Sequence, residues 1–345
     1  MNADFTGELQ TTGIGSLPRT DPQEAVSFVL EAELSIPFWP QLPRRSYMEG
    51  MVAQFSEHCP AVTAEPEEGV LVWSEEQKYS GLEPFYQRYL AEDPSLFALS
   101  RGLAAGFEAF LERAEEESFR YVKGQLTGPI TFTTSITDEN GDTLYSDPEL
   151  RDAVVKMLCR NAEWQVQRLS PLAEEGVVVF VDEPVLAVYG SSALSSISEE
   201  GVHGMEGQIF QAIREAGGVS GIHVCGNSDW GVVSNSGVQL LNFDAYQYGQ
   251  TIALYPDEVA ALLQRGGCIA WGIVPTTNAI RDEDADSLAH LFEQCVAALS
   301  QKGFERAELM EHSLLTPSCG AGSLPPGEAG RVFEALHRLA NKLRG

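Results

Sequence analysis

The chain has 345 residues, 43% of them hydrophobic and 21% charged, the composition of an ordinary soluble globular protein. With 50 acidic against 22 basic residues its formal net charge is −28, which excludes non-specific nucleic-acid binding, since that needs a positive footprint. No apolar run reaches the ~20 residues of a membrane helix, and Met1-Asn2-Ala3-Asp4-Phe5 lacks the basic and apolar regions of a signal peptide. The expectation is therefore a cytoplasmic protein, with no membrane partner, whose six cysteines are buried, metal-bound or reactive rather than a disulfide framework. The acids are spread along the chain, so their first meaning is solubility.

After a loose start over residues 1–10, Thr11 to Gly15 reads as a buried strand stopping in the turn Gly15-Ser16-Leu17-Pro18. Asp21 and Pro22 open a helix to about Leu34, as N-cap and first helical residue. Ile36 to Pro40 reads as a second short strand, its prolines suiting a strand end. Residues 44–118 form an elaborated connection, with a helix over Tyr47–Phe55, a strand or hairpin arm over Gly69–Trp73, and helical patterns from Ser95 to Ala105 and from Ala109 to Glu117. The third strand, from Tyr121, ends in Thr127-Gly128-Pro129, and a long helix runs from Leu150 to about Leu172. Gly176 to Val181 is apolar on both faces, as a parallel strand covered on both sides must be, and ends in Asp182-Glu183-Pro184. A helix over 200–216 leads to the strand ending at Cys225. Strands over Gly237–Asp244, Gly267–Val274 and Ser313–Thr316 follow, separated by helices over Pro256–Gln264 and Asp282–Gly303, and an amphipathic helix over Gly327–Arg344 closes the chain.

Eight strands alternating with helical connections predict βαβ units and a single α/β domain over 1–345, a (β/α)₈ TIM barrel. Polar or small residues cluster after seven of these strands: Gly15-Ser16, Gln125 to Gly128, Asp182-Glu183, His223 to Cys225, Asp244, Gly272 and Cys319. In such a barrel the loops after the strands build the active site, so these clusters converge on one mouth.

The organising stretch is Gly221-Ile222-His223-Val224-Cys225-Gly226-Asn227. Side chains on a strand repeat with period two, so His223 and Cys225 point to the same side, and imidazole and thiolate are both zinc donors. Cys319 has a similar setting, at the end of a strand in Thr316-Pro317-Ser318-Cys319-Gly320. A single free cysteine is more often a small buried filler; a His-x-Cys pair and a second Cys at another strand end point to a metal.

Ile14-Gly15-Ser16-Leu17-Pro18, Val122 to Pro129, Val181-Asp182-Glu183-Pro184, His223-Val224-Cys225 and Pro317-Ser318-Cys319-Gly320 together resemble the catalytic barrel of cobalamin-independent methionine synthase, within the uroporphyrinogen decarboxylase/methionine synthase superfamily. The resemblance implies zinc held by His223, Cys225 and Cys319, with Asp244 where the family has a Glu. It implies Asp182 as the group that grips the amino group of homocysteine, with Glu183 beside it, and Gly15 and Ser16 as contacts of the substrate carboxylate. Asp182 could instead cap a helix or pair with Lys123. The family's amino-terminal second barrel has no counterpart here, nor has the His of its seventh-strand region, where Trp271-Gly272-Ile273-Val274-Pro275 stands. A methyl-corrinoid protein therefore suits the chain better than folate as methyl donor.

The expected activity is a zinc-dependent S-methyltransferase acting on a small thiol, homocysteine first and coenzyme M next, with His223, Cys225, Cys319 and Asp182 as its catalytic set. Zinc deprotonates a thiol that is otherwise mostly protonated at neutral pH. One rival is a zinc-free decarboxylase acting on a polycarboxylate tetrapyrrole, which would need several arginines where the mouth segments carry little beyond Arg19, Arg44 and Arg45. The other is a protein that binds a thiol or corrinoid without turnover.

Overall fold

The computed structural model describes residues 5–345, so Met1 to Asp4 of the N-terminal reading lie outside it. The strands are β1 (Gln10–Thr11), β2 (Val62–Glu65), β3 (Val70–Trp73), β4 (Phe119–Thr127), β5 (Ala173–Asp182), β6 (Val219–Val224), β7 (Leu240–Phe243), β8 (Cys268–Val274) and β9 (Ser313–Pro317). The helices are α1 (Pro22–Glu31), α2 (Glu75–Tyr89), α3 (Ala105–Arg113), α4 (Pro129–Ser135), α5 (Pro148–Leu169), α6 (Glu199–Glu215), α7 (Trp230–Asn235), α8 (Ala245–Tyr248), α9 (Pro256–Gln264), α10 (Ala285–Ser300), α11 (Arg306–Glu311) and α12 (Pro326–Arg344). Seven strands make one curled, wholly parallel sheet in the order β1-β9-β8-β7-β6-β5-β4, and β2 and β3 form a separate antiparallel hairpin. No helix among the described residues is long and apolar enough to cross a membrane.

The alternation of side chains sorts this sheet into two apolar surfaces. Val177, Val179 and Val181 of β5, with Ile222 and Val224 of β6, face the helices in the larger core. Val178 and Phe180, with Val219, Leu240 and Leu314, face the opposite way and form a second cluster on the concave side. Phe180 is completely buried there, which contributes roughly 2–3 kcal/mol for an aromatic of its size.

The sheet differs from the expected eight-stranded ring. Residues 36–40, expected as the second strand, run with Gln41 between the edge strands β1 and β4 without forming a ladder. They bond to both sides: Ile36 N donates to Thr11 O and Gln41 N to Gly15 O, while Lys123 N donates to Pro37 O and Trp39 N to Lys123 O. Pro37 and Pro40 lack the N–H a continuous ladder requires.

Within 44–118 the hairpin reading holds for Val70–Trp73, with an unforeseen first arm over Val62–Glu65. The expected helix over 47–55 is two short 3-10 turns, Tyr47–Glu49 and Ala53–Phe55. Another 3-10 turn, Pro94–Phe97, and α3 replace the longer helical pattern there. α2 had no sequence signal because its apolar stripe is thin: Lys78, Leu82 and Phe85 are its buried residues, and Pro84 lies inside it. It is anchored by Lys78 Nζ, 2.6 Å from both Asp147 and Glu149 carboxylates at the start of α5.

Candidate metal centre

Along the concave face, residue character changes from one end of each strand to the other. The early positions are mostly apolar, and toward the ends of five strands the inward positions turn polar: Gln125 and Thr127 on β4, Asp182 on β5, His223 on β6, Asn242 on β7 and Thr316 on β9, all buried. Period two forces this alignment, because the first of these on each strand lies two positions beyond an apolar or cationic inward one. Gly221 is part of the device, since a Cβ there would strike the Phe180 ring that forms the floor beneath His223.

Cys225 follows β6 and Cys319 follows β9, and their Cα atoms are 5.8 Å apart across the mouth although 94 residues separate them in sequence. Their sulfurs are joined as a disulfide, an addition to the expectation for the six cysteines; Cys59, Cys159, Cys268 and Cys295 are free. His223 Nε2 lies 2.9 Å from Cys225 Sγ. The ligand atoms of His223, Cys225 and Cys319 all fall within 4.8 Å of one another, and this is the metal-capable cluster among the described residues. One imidazole and two sulfurs suit zinc, a borderline-soft cation, and three protein donors leave room for a substrate atom. Both sulfurs must be thiolates to ligate, so the pair has to be reduced first. Burial pushes the His223 pKa down to about 4, against the pull of the Asn242 hydrogen bond, so the imidazole is neutral and carries a free lone pair at physiological pH.

Asp244 does not join this cluster. It stands one residue past β7 as the N-cap of α8, where one carboxylate oxygen accepts from Gln247 N at 3.0 Å and the other from Gln247 Nε2 at 2.6 Å. The shorter Asp side chain is turned back onto its own helix, so its expected role as fourth ligand is replaced by a cap.

The cluster opens into a cavity of about 340 Å³ lined by Ile14, Ser16, Met51, Asp182, Pro184 and Gly320 among others. A depression of about 490 Å³ beneath the hairpin is larger, so chemistry and not volume distinguishes the first. Asp182 Oδ1 is buried in its wall with no hydrogen-bond partner. Burial pushes this carboxyl up to about 7, with the Lys123 charge working against the rise, and it lowers Lys123 to about 7. Lys123 does not pair directly with Asp182: its amine donates to Ile14 O at 2.6 Å and Gln125 Oε1 at 3.1 Å. The lysine is thus held beneath the site, and Asp182 Oδ1 keeps an acceptor face. Gly15 and Ser16 lie on the opposite side, where Ser16 Oγ accepts from Gly322 N at 3.2 Å and so fastens the Cys319 loop to the first strand. Gly320 makes that approach possible, because any Cβ there would overlap Ser16 Oγ.

Glu183 faces away from the cavity. Its carboxylate accepts from Ile130 N (2.7 Å), Thr131 N (2.8 Å) and Thr131 Oγ1 (2.6 Å), locking the turn after β5 to the start of α4. It is a scaffold for Asp182 rather than the substrate contact expected of it. Glu206, on α6 and fully buried, faces the same carboxylate. Burial first, then the charge of Glu183, raise Glu206 well above its ordinary 4.5, so Glu206 keeps its proton in the folded state. The folded state holds that proton where the unfolded chain has released it, so this contribution is intact below about pH 4.5 and is lost as pH rises toward the folded pKa. Glu206→Gln, which carries its hydrogens permanently, is expected to melt a few degrees above wild type at pH 8, with the gap shrinking toward pH 5. A gap that does not change with pH would refute the retained proton.

Asn242 and Glu206 escaped the sequence reading. Asn242 lies inside Leu240-Leu241-Asn242-Phe243, which reads as plain strand, and Glu206 sits in a helix rich in surface acids. The one available signal was a polar residue at an inward strand position two before Asp244.

No protein-family model and no curated protein matches the chain by sequence. Among solved structures, a B12-independent methionine synthase from Shewanella sp. W3-18-1, in complex with selenomethionine, superposes with a TM-score of 0.59 over 97% of this chain and 98% of that one. This chain has that protein's fold. The two sequences are 13% identical, so the likeness extends to the fold alone. A protein assigned as a fructose-1,6-bisphosphate aldolase from Coccidioides immitis, with a TM-score of 0.28, 12% identity and coverage of 68% and 80%, is too distant to carry an argument.

Proposed function

We propose that the chain is a zinc-dependent methyltransferase that moves a methyl group onto the sulfur of a small thiol, with homocysteine as acceptor, methionine as product and a methyl-corrinoid protein as donor. The observation that carries this reading is the convergence of His223, Cys225 and Cys319 beside an unpartnered buried carboxylate, Asp182, in one cavity. The fold shared with a methionine synthase supports it. So does an architecture readable as eight βα units, with residues 36–41 in the place of the second strand.

His223, Cys225 and Cys319 would hold zinc, which supplies the positive charge that keeps a bound thiol deprotonated at neutral pH. Asp182 accepts hydrogen bonds from the substrate's ammonium group, and the neighbouring Gly15-Ser16 turn takes its carboxylate. Lys123, held on Ile14 O and Gln125, keeps Asp182 from becoming neutral too readily. The bound thiolate attacks the donor's methyl carbon in line; the new carbon–sulfur bond forms as the methyl's old bonding pair departs with the donor. Half-exposed cysteines at the mouth leave the sulfur reachable by a bulky donor, and the acidic surface gives a basic face of that donor something to dock on. A polycarboxylate substrate is disfavoured, because no arginine lines the cavity and the Arg44 guanidinium is occupied by the Ser323 and Leu324 carbonyls at 2.8 and 2.9 Å.

The test is methyl transfer by reduced, zinc-loaded protein from methylcobalamin or a methyl-corrinoid protein to homocysteine, with coenzyme M in parallel. Formation of the thioether is the expected result. Failure to methylate any thiol from either donor would overturn the reading.

A further inference from the structure

We infer that Asn242 is the positioning residue of the ligand set: it fixes which ring nitrogen of His223 faces the two sulfurs and ties β6 to the strand that leads to Cys319. This rests on the metal-binding reading of His223, Cys225 and Cys319.

Two backbone carbonyls set every proton in the network, because a carbonyl oxygen can only accept. Thr316 Oγ1 lies 2.9 Å from Pro317 O and gives it its single proton, which leaves the hydroxyl oxygen to accept. Asn242 Nδ2 lies 2.7 Å from Ala270 O and 2.8 Å from Thr316 Oγ1, so both of its hydrogens are committed. The amide is thereby oriented, with Oδ1 turned to His223 and 2.5 Å from Nδ1. An amide oxygen has no proton to give, so Nδ1 carries the hydrogen and the Nε2 lone pair is free. Nε2 is the nitrogen 2.9 Å from Cys225 Sγ, on the side where the sulfurs meet. The reversed amide would press its oxygen against Ala270 O. Asn242 and Thr316 are fully buried and His223 nearly so, which leaves no solvent to relieve that repulsion.

The same side chain is also a clasp. It stands on β7, paired to β6 and β8, and its amide reaches beyond β8 to Thr316, three residues before Cys319. A ligand from β6 and a ligand beyond β9 are therefore registered through one amide group. Such supporting hydrogen bonds orient a ligating histidine and typically alter metal affinity 10–100-fold.

Ring ¹⁵N NMR of the reduced, metal-free wild type is expected to show His223 as a single tautomer protonated at Nδ1. Asn242→Leu, similar in bulk but without an acceptor, is expected to lose that single tautomer and to bind zinc about 10–100-fold more weakly in competition with a chromophoric chelator. Asn242→Asp restores the acceptor at Nδ1 but sets its other oxygen against Ala270 O, so it is expected to recover the single tautomer while melting below wild type. A wild-type ring protonated at Nε2 overturns the inference whether or not the protein binds zinc. So does an Asn242→Leu protein that melts like wild type and keeps its zinc affinity. A wild type that binds no zinc would instead sink the proposed function, and the ring spectrum would still decide the role of Asn242 at His223.

Discussion

Replacing either Cys225 or Cys319 by Ser is expected to weaken zinc binding of the reduced protein by well over a hundredfold and to abolish thiol methylation. Loss of a hydrogen bond behind a ligand already costs 10–100-fold in affinity, and loss of the ligand itself must cost more. Serine keeps the size but offers a hydroxyl that is not ionised at neutral pH and is a poor donor for a borderline-soft cation. Cys268 and Cys295 serve as controls: both are buried, burial pushes their thiols up to about 12, and neither is in the cluster. Cys268→Ser and Cys295→Ser should keep one zinc per chain. Metal analysis after dialysis under reductant decides the matter, and wild-type zinc content in both Cys225→Ser and Cys319→Ser would end the metal reading.

Asp182→Asn is expected to lower kcat/KM for homocysteine by about 10²–10³-fold, the effect of removing one partner from a desolvated charge pair. The replacement keeps the shape of the side chain while losing the charge that the substrate's ammonium needs. Its informative control is a thiol without an amino group. Wild type should discriminate strongly against that thiol, because Asp182 Oδ1 would stay buried and unpaired, as it is without substrate. Asp182→Asn should discriminate little. Equal loss on both thiols would show Asp182 to be structural, and no loss on homocysteine would remove it from the site. Zinc content should be unchanged in this variant, which separates substrate binding from metal binding.

Much of this site was legible before any coordinates. His223 and Cys225 share a side because strand side chains alternate, and that relation is local. Gly176 to Val181 read as a strand covered on both faces because β-branched residues fill both of its parities. Asp182 was legible as a strand-end carboxylate, though not its freedom from Lys123. The approach of Cys319 was an expectation of the fold rather than of spacing, since nothing within 94 residues of chain specifies a distance. Residues 36–40 were misread because a short apolar run signals a strand, whereas two prolines and competing partners on both flanks decide whether a ladder forms.

By itself the sequence determined what depends on neighbours along the chain: most strands of the parallel sheet, the polar strand ends, and the pairing of imidazole and thiol on one face. Only the tertiary structure decided what depends on neighbours across the sheet. It turned Asp244 onto Gln247 as a cap, set Glu206 against Glu183, and placed Asn242 between a histidine, the Ala270 carbonyl and the Thr316 hydroxyl. Hydrogen-bond direction is a property of the assembled network, and no single strand contains enough of that network to define it.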